Sequence, residues 1–180
     1  MRVRKEEWAY VLDYLPSGKP LEKIFVPIAQ VIGEKYFTLL EVVPKKGAKI
    51  EIGKKVYIGS GLRPEINKIL RKIRYEDLTD AAKKELEEIV KKIVKEREKE
   101  FVEFFNNAGP ISTRLHQLEL LPRIGKKCLW KILEEREKKK FESFEDIKNR
   151  IEGIADPFRI IVERILEEIR GESKYKLFVA

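Results

Sequence analysis

The sequence predicts an α+β protein with a small N-terminal β-barrel, a long linking helix and a C-terminal all-helical domain. Three observations carry this. Residues 7 to 75 are short β-rich runs cut by glycine and proline, the apolar positions switch to a helical period at Thr79, and that period recurs after Pro110 in short segments separated by turn residues. The domains are accordingly 1–78, 79–109 and 110–180.

The β runs are Trp8 to Leu15, Ile24 to Ile32, Lys35 to Val43, Ala48 to Ile52 and Lys55 to Ile58. Their breaks are Pro16-Ser17-Gly18-Lys19-Pro20, Gly33-Glu34, Pro44-Lys45-Lys46-Gly47, Gly53 and Gly59-Ser60-Gly61. Alternation is clearest in the fourth run, where Ala48, Ile50 and Ile52 share one parity and Lys49 and Glu51 the other. Segment 66–75 fits either a helix or a fifth strand, and the strand is preferred. Short strands in so few residues favour a closed or nearly closed barrel, because closure removes edges that otherwise pair with other chains.

From Thr79, the residues Leu86, Ile89, Val90, Ile93, Val94, Phe101, Phe104 and Phe105 form one stripe amid Lys and Glu. Thr79 or Asp80 is a credible N-cap, and Asn106-Asn107-Ala108-Gly109-Pro110 ends the helix. An unbroken helix over 80–107 is about 42 Å long at about 1.5 Å per residue, which suits a strut between domains, with a bend near Arg97. Beyond it the pattern reads as two helical pairs. The first is Thr113 to Leu121, a turn Pro122-Arg123-Ile124-Gly125, then Lys126 to Glu137; the second opens at Ser143, turns at Glu152-Gly153-Ile154 and resumes at Asp156-Pro157.

Composition narrows the function. The 180 residues carry 39 Lys+Arg against 31 Asp+Glu, for a net charge of +8, and include one His and one Cys. No apolar run approaches the roughly 20 residues that cross a bilayer. The first residues, Met1 to Glu7, lack a signal-peptide pattern, so a cytoplasmic location is expected and no membrane partner. Cys128 and His116 alone supply neither a disulfide, a zinc finger nor a conventional triad. The Lys/Glu/Ile-rich, glutamine-poor usage is that of a thermophile. Positive charge is localised: residues 123–140 hold Arg123, Lys126, Lys127, Lys131, Arg136, Lys138, Lys139 and Lys140 against Glu134, Glu135 and Glu137, a net +5. Such a patch is the footprint of a polyanion partner, or else a solvated helix face.

The start of the helix after Gly125 distinguishes these readings. First-turn amides have no intrahelical acceptor, and aligned peptide dipoles place about half a positive charge there. Gly125 leaves room for a phosphate, and Lys126, Lys127 and Lys131 surround the same point. The spacing Leu118-x-x-Leu121-Pro122-x-Ile124-Gly125-x-x-Cys128-x-x-x-Ile132 resembles the helix-hairpin-helix nucleic-acid-binding motif, with Arg123 in place of the first motif glycine. The second pair resembles the other half of a tandem motif, but Glu152 and Asp156 repel phosphate, so it is read as structural.

Over nearly the whole chain, the sequence resembles an archaeal family of unknown function, predicted to be nucleic-acid-binding proteins with an OB-fold. The resemblance rests on Tyr10-Val11-Leu12-Asp13-Tyr14-Leu15, Tyr75-Glu76-Asp77-Leu78-Thr79, Phe104-Phe105-Asn106 and the run from Arg114 through Leu121-Pro122 to Gly125-Lys126-Lys127. It implies an OB-like barrel followed by tandem helical hairpins, and no known reaction.

The expected function is therefore non-enzymatic binding of RNA or DNA through backbone phosphates, without strong sequence preference and with no cofactor or metal. The expected contacts are Arg123, Ile124, Gly125, Lys126, Lys127 and Lys131, with Lys55 and Tyr57 on the wet face of the barrel for base stacking. A ribonucleoprotein or repair complex is the expected setting. The alternative is a protein–protein adaptor docking on a larger nucleoprotein complex. A metal-dependent nuclease using Asp13 or Glu41 ranks third, since there is no GxxxxGK loop and no paired nucleophile and base. His116 and Cys128 are read as structural.

Overall fold

A computed structural model describes residues 5–180; Met1–Arg4, where the predicted first domain and the segment without a signal pattern begin, lie outside the described residues. The chain divides into two compact units, residues 1–89 with 168–180, and residues 90–167. Among the described residues no helix is long and apolar enough to cross a membrane.

The first unit is built on β1 (Trp8–Leu15), β2 (Ile28–Gly33), β3 (Leu39–Pro44), β4 (Lys55–Tyr57) and β5 (Ile66–Lys72), in the order β4-β1-β2-β3-β5, with every ladder antiparallel. Segment 66–72 is a strand, as preferred from its pattern. The end strands β4 and β5 share no ladder among the described residues, so the sheet curls into a half-barrel. One face packs Ala9, Val11, Val31, Val42, Val56 and Ile66. The central β2 and β3 are buried on both faces, which is why they read as near-continuous apolar runs. A bulge after Val11 inserts Leu12 and shifts the register so that Asp13 faces Gln30.

The run Ala48–Ile52 is not a strand, a correction to the expectation above. Turns occupy both its ends: Ala48 N–H donates to Lys45 O (3.0 Å), Lys54 N–H to Glu51 O (3.1 Å), and Gly47 and Gly53 adopt φ of 81° and 83°. Backbone groups spent on turns are lost to a ladder, and Ile52 stays 47% exposed despite its parity.

A polar network interrupts the apolar sheet. Glu41 on β3, 0% exposed, is in register with Gln30 on β2 and Arg71 on β5. Its carboxylate accepts from Gln30 Nε2 (2.9 Å) and Arg71 Nε (2.7 Å) and pairs with Lys19 Nζ (2.6 Å). Gln30 also donates to Asp77 O (3.0 Å) and accepts from Thr79 N–H (2.9 Å). Thr79, expected as an N-cap, accepts from Ala82 N–H (3.0 Å) and donates to Asp13 Oδ2 (2.6 Å). Helix α1 (Asp80–Glu96) thus begins from a point tied to β1 and β2.

A second buried carboxylate, Glu6, accepts from the amides of Lys35, Tyr36 and Thr38 at 2.9–3.2 Å, closing the β2–β3 connection. Gly33 is required by this contact, since a Cβ there collides with the Glu6 carboxylate.

The predicted strut is two helices, α1 and α2 (Glu98–Asn107), broken at Arg97 (φ −108°, ψ 27°), the point expected to bend. The second unit continues with α3 (Lys126–Lys138), α4 (Phe144–Arg150) and α5 (Pro157–Ile169), which completes an α+β chain with five α-helices among the described residues. Ser143 Oγ caps α4 by accepting from Asp146 N–H (2.9 Å), as its spacing predicts. Each helix buries an apolar face, including Phe101 and Phe105 on α2, Leu129 and Ile132 on α3, Ile147 on α4 and Ile161 and Ile165 on α5. Full burial of such a side chain contributes about 1.5–3 kcal/mol.

Burial pushes the Glu41 carboxyl up, but hydrogen bonds from Lys19, Gln30 and Arg71 outweigh it and hold the group below its ordinary 4.5. A carboxyl depressed in the folded state stabilises above its unfolded pKa, and that stability is lost as pH falls through the folded value. Glu41→Gln, which leaves Lys19 without its anion, is expected to cost about 3 kcal/mol at pH 7. Urea denaturation at a series of pH values is expected to show the gap between wild type and variant closing below pH about 4.5.

Candidate nucleic-acid interface

The predicted first hairpin is only half helical. Residues 113–121 were expected as a helix, but a single 3₁₀ turn, Gln117–Leu120, is present. Leucines at 118 and 121 recur every three residues, the period of a 3₁₀ turn and not of an α-helix. The preceding residues are held in a loop instead: Pro110 and His116 form an isolated bridge, and the amides of Ile111 and Ser112 converge on Leu115 O at 2.8 and 3.0 Å. His116 is buried and caps the turn, its Nδ1 accepting from Leu118 N–H (3.1 Å) while its own N–H donates to Glu119 Oε1 (3.0 Å). Burial and the nearby Arg136 push this imidazole below its ordinary 6.5, so it serves as a neutral cap.

The turn itself is tight. Ile124 is buried and returns its N–H to Leu121 O (3.3 Å), while Arg123 between them adopts φ 60°. Arg123, which stands where the motif resemblance expects glycine, thus adopts the left-handed conformation that glycine favours. The same arrangement recurs 30 residues later, where Ile154 N–H donates to Ile151 O (3.3 Å) and Gly153 adopts φ 81°. Arg164 Nη1 donates to Leu120 O (2.9 Å) and anchors the first turn from α5.

Gly125 is the N-cap of α3. Its backbone is extended (φ −95°, ψ −171°), a conformation open to any residue, and space for a Cβ is clear to 4 Å. No side chain caps α3, so its first amides are left to solvent. The corresponding end of α5 differs, because Asp156 Oδ1 accepts from Phe158 N–H (3.1 Å) and fills that position with an acid.

The surrounding cations are not equally available. Arg123 pairs with Glu163 (2.8 Å), and Lys126 with Glu119 (2.8 Å) and Arg114 O (2.8 Å). Lys131 donates to Glu152 O (3.1 Å). Arg136, counted in the basic patch, is spent on Phe105 O and Ala108 O at 3.2 and 2.8 Å, where it caps the end of α2. Lys127 is exposed and has no side-chain partner among the described residues. Between Lys127 and Glu134 stands Trp130, 66% exposed. Cys128, Leu129, Ile132 and Leu133 form the apolar face of α3, and Trp130 is not on it. At 100° per residue, Trp130 falls with Lys126, Lys127 and Glu134 on the opposite face, and that signal identifies it.

Lys55 and Tyr57 lie in the sheet unit, on β4, opposite Tyr10 and Trp8 of β1. Both are engaged locally. Lys55 pairs with Glu34 (2.6 Å) and sits over the Trp8 ring (5.2 Å), while Tyr57 packs edge-on to Trp8 (5.1 Å) and its hydroxyl accepts from Gly61 N–H (3.1 Å). Cys128 is half-buried, and burial pushes its thiol up, away from a reactive thiolate. Asp13 and Glu41, the carboxylates weighed for nuclease chemistry, are engaged by Thr79 and by the Lys19, Gln30 and Arg71 cluster. No group of three or more metal-ligating side chains forms among the described residues.

Comparison with known proteins agrees with a shared fold over the whole chain. The family described as "Protein of unknown function (DUF655)" matches residues 5–180. The uncharacterized protein MJ0038 of Methanocaldococcus jannaschii is 52% identical over 176 residues, which span 97% of this chain and 80% of that protein. The crystal structure of Af1531 from Archaeoglobus fulgidus is similar with a TM-score of 0.87 and 52% identity, covering 97% of this chain and 100% of that one.

The left-handed backbone at residue 123 sets a stability order. Arg123→Gly is expected to stay within about 1 kcal/mol of wild type, because relief of φ strain offsets the lost Glu163 pair. Arg123→Val is expected to lose about 1–2 kcal/mol, since a β-branched residue resists φ 60°. Thermal denaturation of both variants checks this order.

Proposed function

This chain belongs to the DUF655 family, and we propose that it is a nucleic-acid-binding protein that grips backbone phosphates at the turn between Leu121 and Lys127 with little dependence on sequence. The observation that carries the proposal is the open, uncapped start of α3 behind a left-handed residue, with Lys127 beside it and without a side-chain partner among the described residues. A phosphate there accepts from first-turn amides, meets the positive end of the helix dipole and is neutralised by Lys127. It also competes with Glu119 for Lys126, an exchange of one anion for another on an exposed side chain. The repeated turn at 151–154 supports a tandem helix-hairpin-helix reading in which the acid-capped second copy is structural.

Trp130 extends this site, since an exposed indole one turn from Lys127 offers a stacking platform to an unpaired base. On the sheet unit, the strand order β4-β1-β2-β3-β5 supports an OB-like, partly open barrel, and Trp8, Lys55 and Tyr57 are the proposed second contact.

One observation favours an adaptor as the second reading. Leu21, on a 3₁₀ turn, and Phe25 and Leu62, on loops of the sheet unit, are 102%, 74% and 97% exposed, and each offers apolar surface to a protein partner.

Salt separates the two readings. Phosphate binding is expected to weaken linearly in log–log form, with a slope of about −0.9 per neutralised duplex phosphate and about −0.7 on single strands. Apolar docking is expected to respond little to salt. Fluorescence anisotropy titrations of duplex and single-stranded DNA and RNA at several salt concentrations measure this slope. Lys126→Glu with Lys127→Glu is expected to lower affinity by a similar factor on every sequence. Unchanged binding by the folded double variant removes the hairpin from the account.

Trp130→Ala is expected to weaken single-stranded binding by about 1–3 kcal/mol and duplex binding far less. An equal loss on both substrates would count against stacking.

A further inference from the structure

The last residues of the chain build a cleft in the sheet unit that the hairpin reading does not use. After α5 the backbone turns at Gly171 (φ 75°), whose N–H donates to Glu168 O (3.1 Å). The returning segment is then caught by the side chain of Glu168, which is 2% exposed: the amides of Leu177, Phe178 and Val179 all donate to its Oε1, at 2.9, 3.0 and 3.1 Å. Ala180 N–H adds a bond to Tyr36 O (3.1 Å). The strand-end residues 72–76, the β2–β3 connection and this returning segment enclose a cleft of about 400 Å³.

The charge around the cleft is one-sided. Its side-chain cations are Lys72, Arg74, Arg170 and Lys176 and its side-chain acids are Glu76 and Glu168, while Ala180 also lines it, with a main-chain oxygen 3.4 Å from Lys72 Nζ. Three amides already answer the charge of Glu168. Lys176 has no side-chain partner among the described residues, and Arg170 has no carboxylate there but lies 5.8 Å from the centre of the Tyr75 ring. Among the described residues Lys72 reaches only Ala180 O (3.4 Å), and Arg74 only Asp77, at 3.8 Å. Phe37, Leu39, Ile73 and Val179 contribute apolar wall. An excess of cationic over acidic side chains around a partly apolar hollow favours a counter-ion bearing several negative charges. The volume lies at the small end of the range for small-molecule sites.

From this we infer that the cleft binds a polyphosphate group, carried by a nucleoside polyphosphate or by the triphosphorylated end of a nucleic acid. The inference is independent of the hairpin site, since it rests on different residues in the other unit. Arg170 and Lys176 are the principal contacts, because binding need not break an existing ion pair of either.

Isothermal titration of the full chain at low salt tests it, with inorganic triphosphate, ATP, adenosine, and one short oligonucleotide bearing either a 5′-triphosphate or a 5′-hydroxyl. Saturable binding of triphosphate and ATP but not adenosine is expected. Arg170→Ala with Lys176→Ala is expected to weaken it at least about tenfold. Lys127→Glu is expected to retain the triphosphate site that Arg170→Ala with Lys176→Ala removes, which separates this cleft from the hairpin. Binding of free triphosphate identifies a small-molecule ligand; binding only of the triphosphorylated oligonucleotide, above its 5′-hydroxyl twin, identifies a nucleic-acid end. The inference is overturned if neither form binds, if adenosine binds as tightly as ATP, or if the folded double variant binds as wild type does. Should the double variant fail to fold, the exposed single substitution Lys176→Glu is expected to give the same loss, and unchanged binding by it overturns the inference equally.

Discussion

A single carboxylate organises the sheet unit. Withdrawing Glu41 from water costs several kcal/mol unless its lone pairs are met, and Lys19, Gln30 and Arg71 meet them from a loop, β2 and β5. The demand is directional, so it fixes more than its own neighbourhood. Gln30 has both amide protons and its oxygen committed, to Glu41, Asp77 O and Thr79 N–H, and this determines where α1 starts. Shifting β3 by one residue would bury an apolar side chain against these donors and turn Glu41 towards the opposite, apolar face.

Glu6 and Glu168 repeat the principle with backbone donors. Each collects amides from three residues of another segment, Glu6 from 35–38 across 29–32 residues and Glu168 from 177–179 across 9–11. A carboxylate is well suited to this, since it only accepts and its charge strengthens each bond. The result is that both connecting segments are held in fixed conformations, and the Glu168 clamp shapes the cleft beside the β2–β3 connection.

In the helical unit, arginines rather than carboxylates terminate the elements. Arg136 caps the end of α2, and Arg150 donates to Glu135 O, Lys139 O and Lys140 O at the end of α3, where the helix dipole favours a cation. The basic patch counted along the chain is thereby thinned. Some of its members hold the fold and others are paired on the surface; among the described residues Lys127 and Lys140 keep no side-chain partner, and of these Lys127 stands beside the uncapped start of α3.

Much of this was legible beforehand because it depends on local period and local chemistry. Residues 8–15 form a β-rich run closed by Pro16 and 66–72 are the preferred strand, the Ser143 and Thr79 caps follow from hydroxyls at helix starts, and Arg97 breaks the long stripe at the expected bend. Ala48–Ile52 and Thr113–Leu121 misled because an apolar period of two or three does not say whether the backbone has a ladder or an α-helical turn to join. Trp130 was legible but overlooked, as its helical angle alone puts it outside. What the sequence alone determined was the kind of element at most positions and the uneven address of its charge, both set by neighbours within a few residues. Tertiary structure alone decided which charges remain free, that the sheet curls without β4 meeting β5, and that Glu168–Ala180 belongs with the sheet, because each depends on partners tens of residues away whose distance no local pattern encodes.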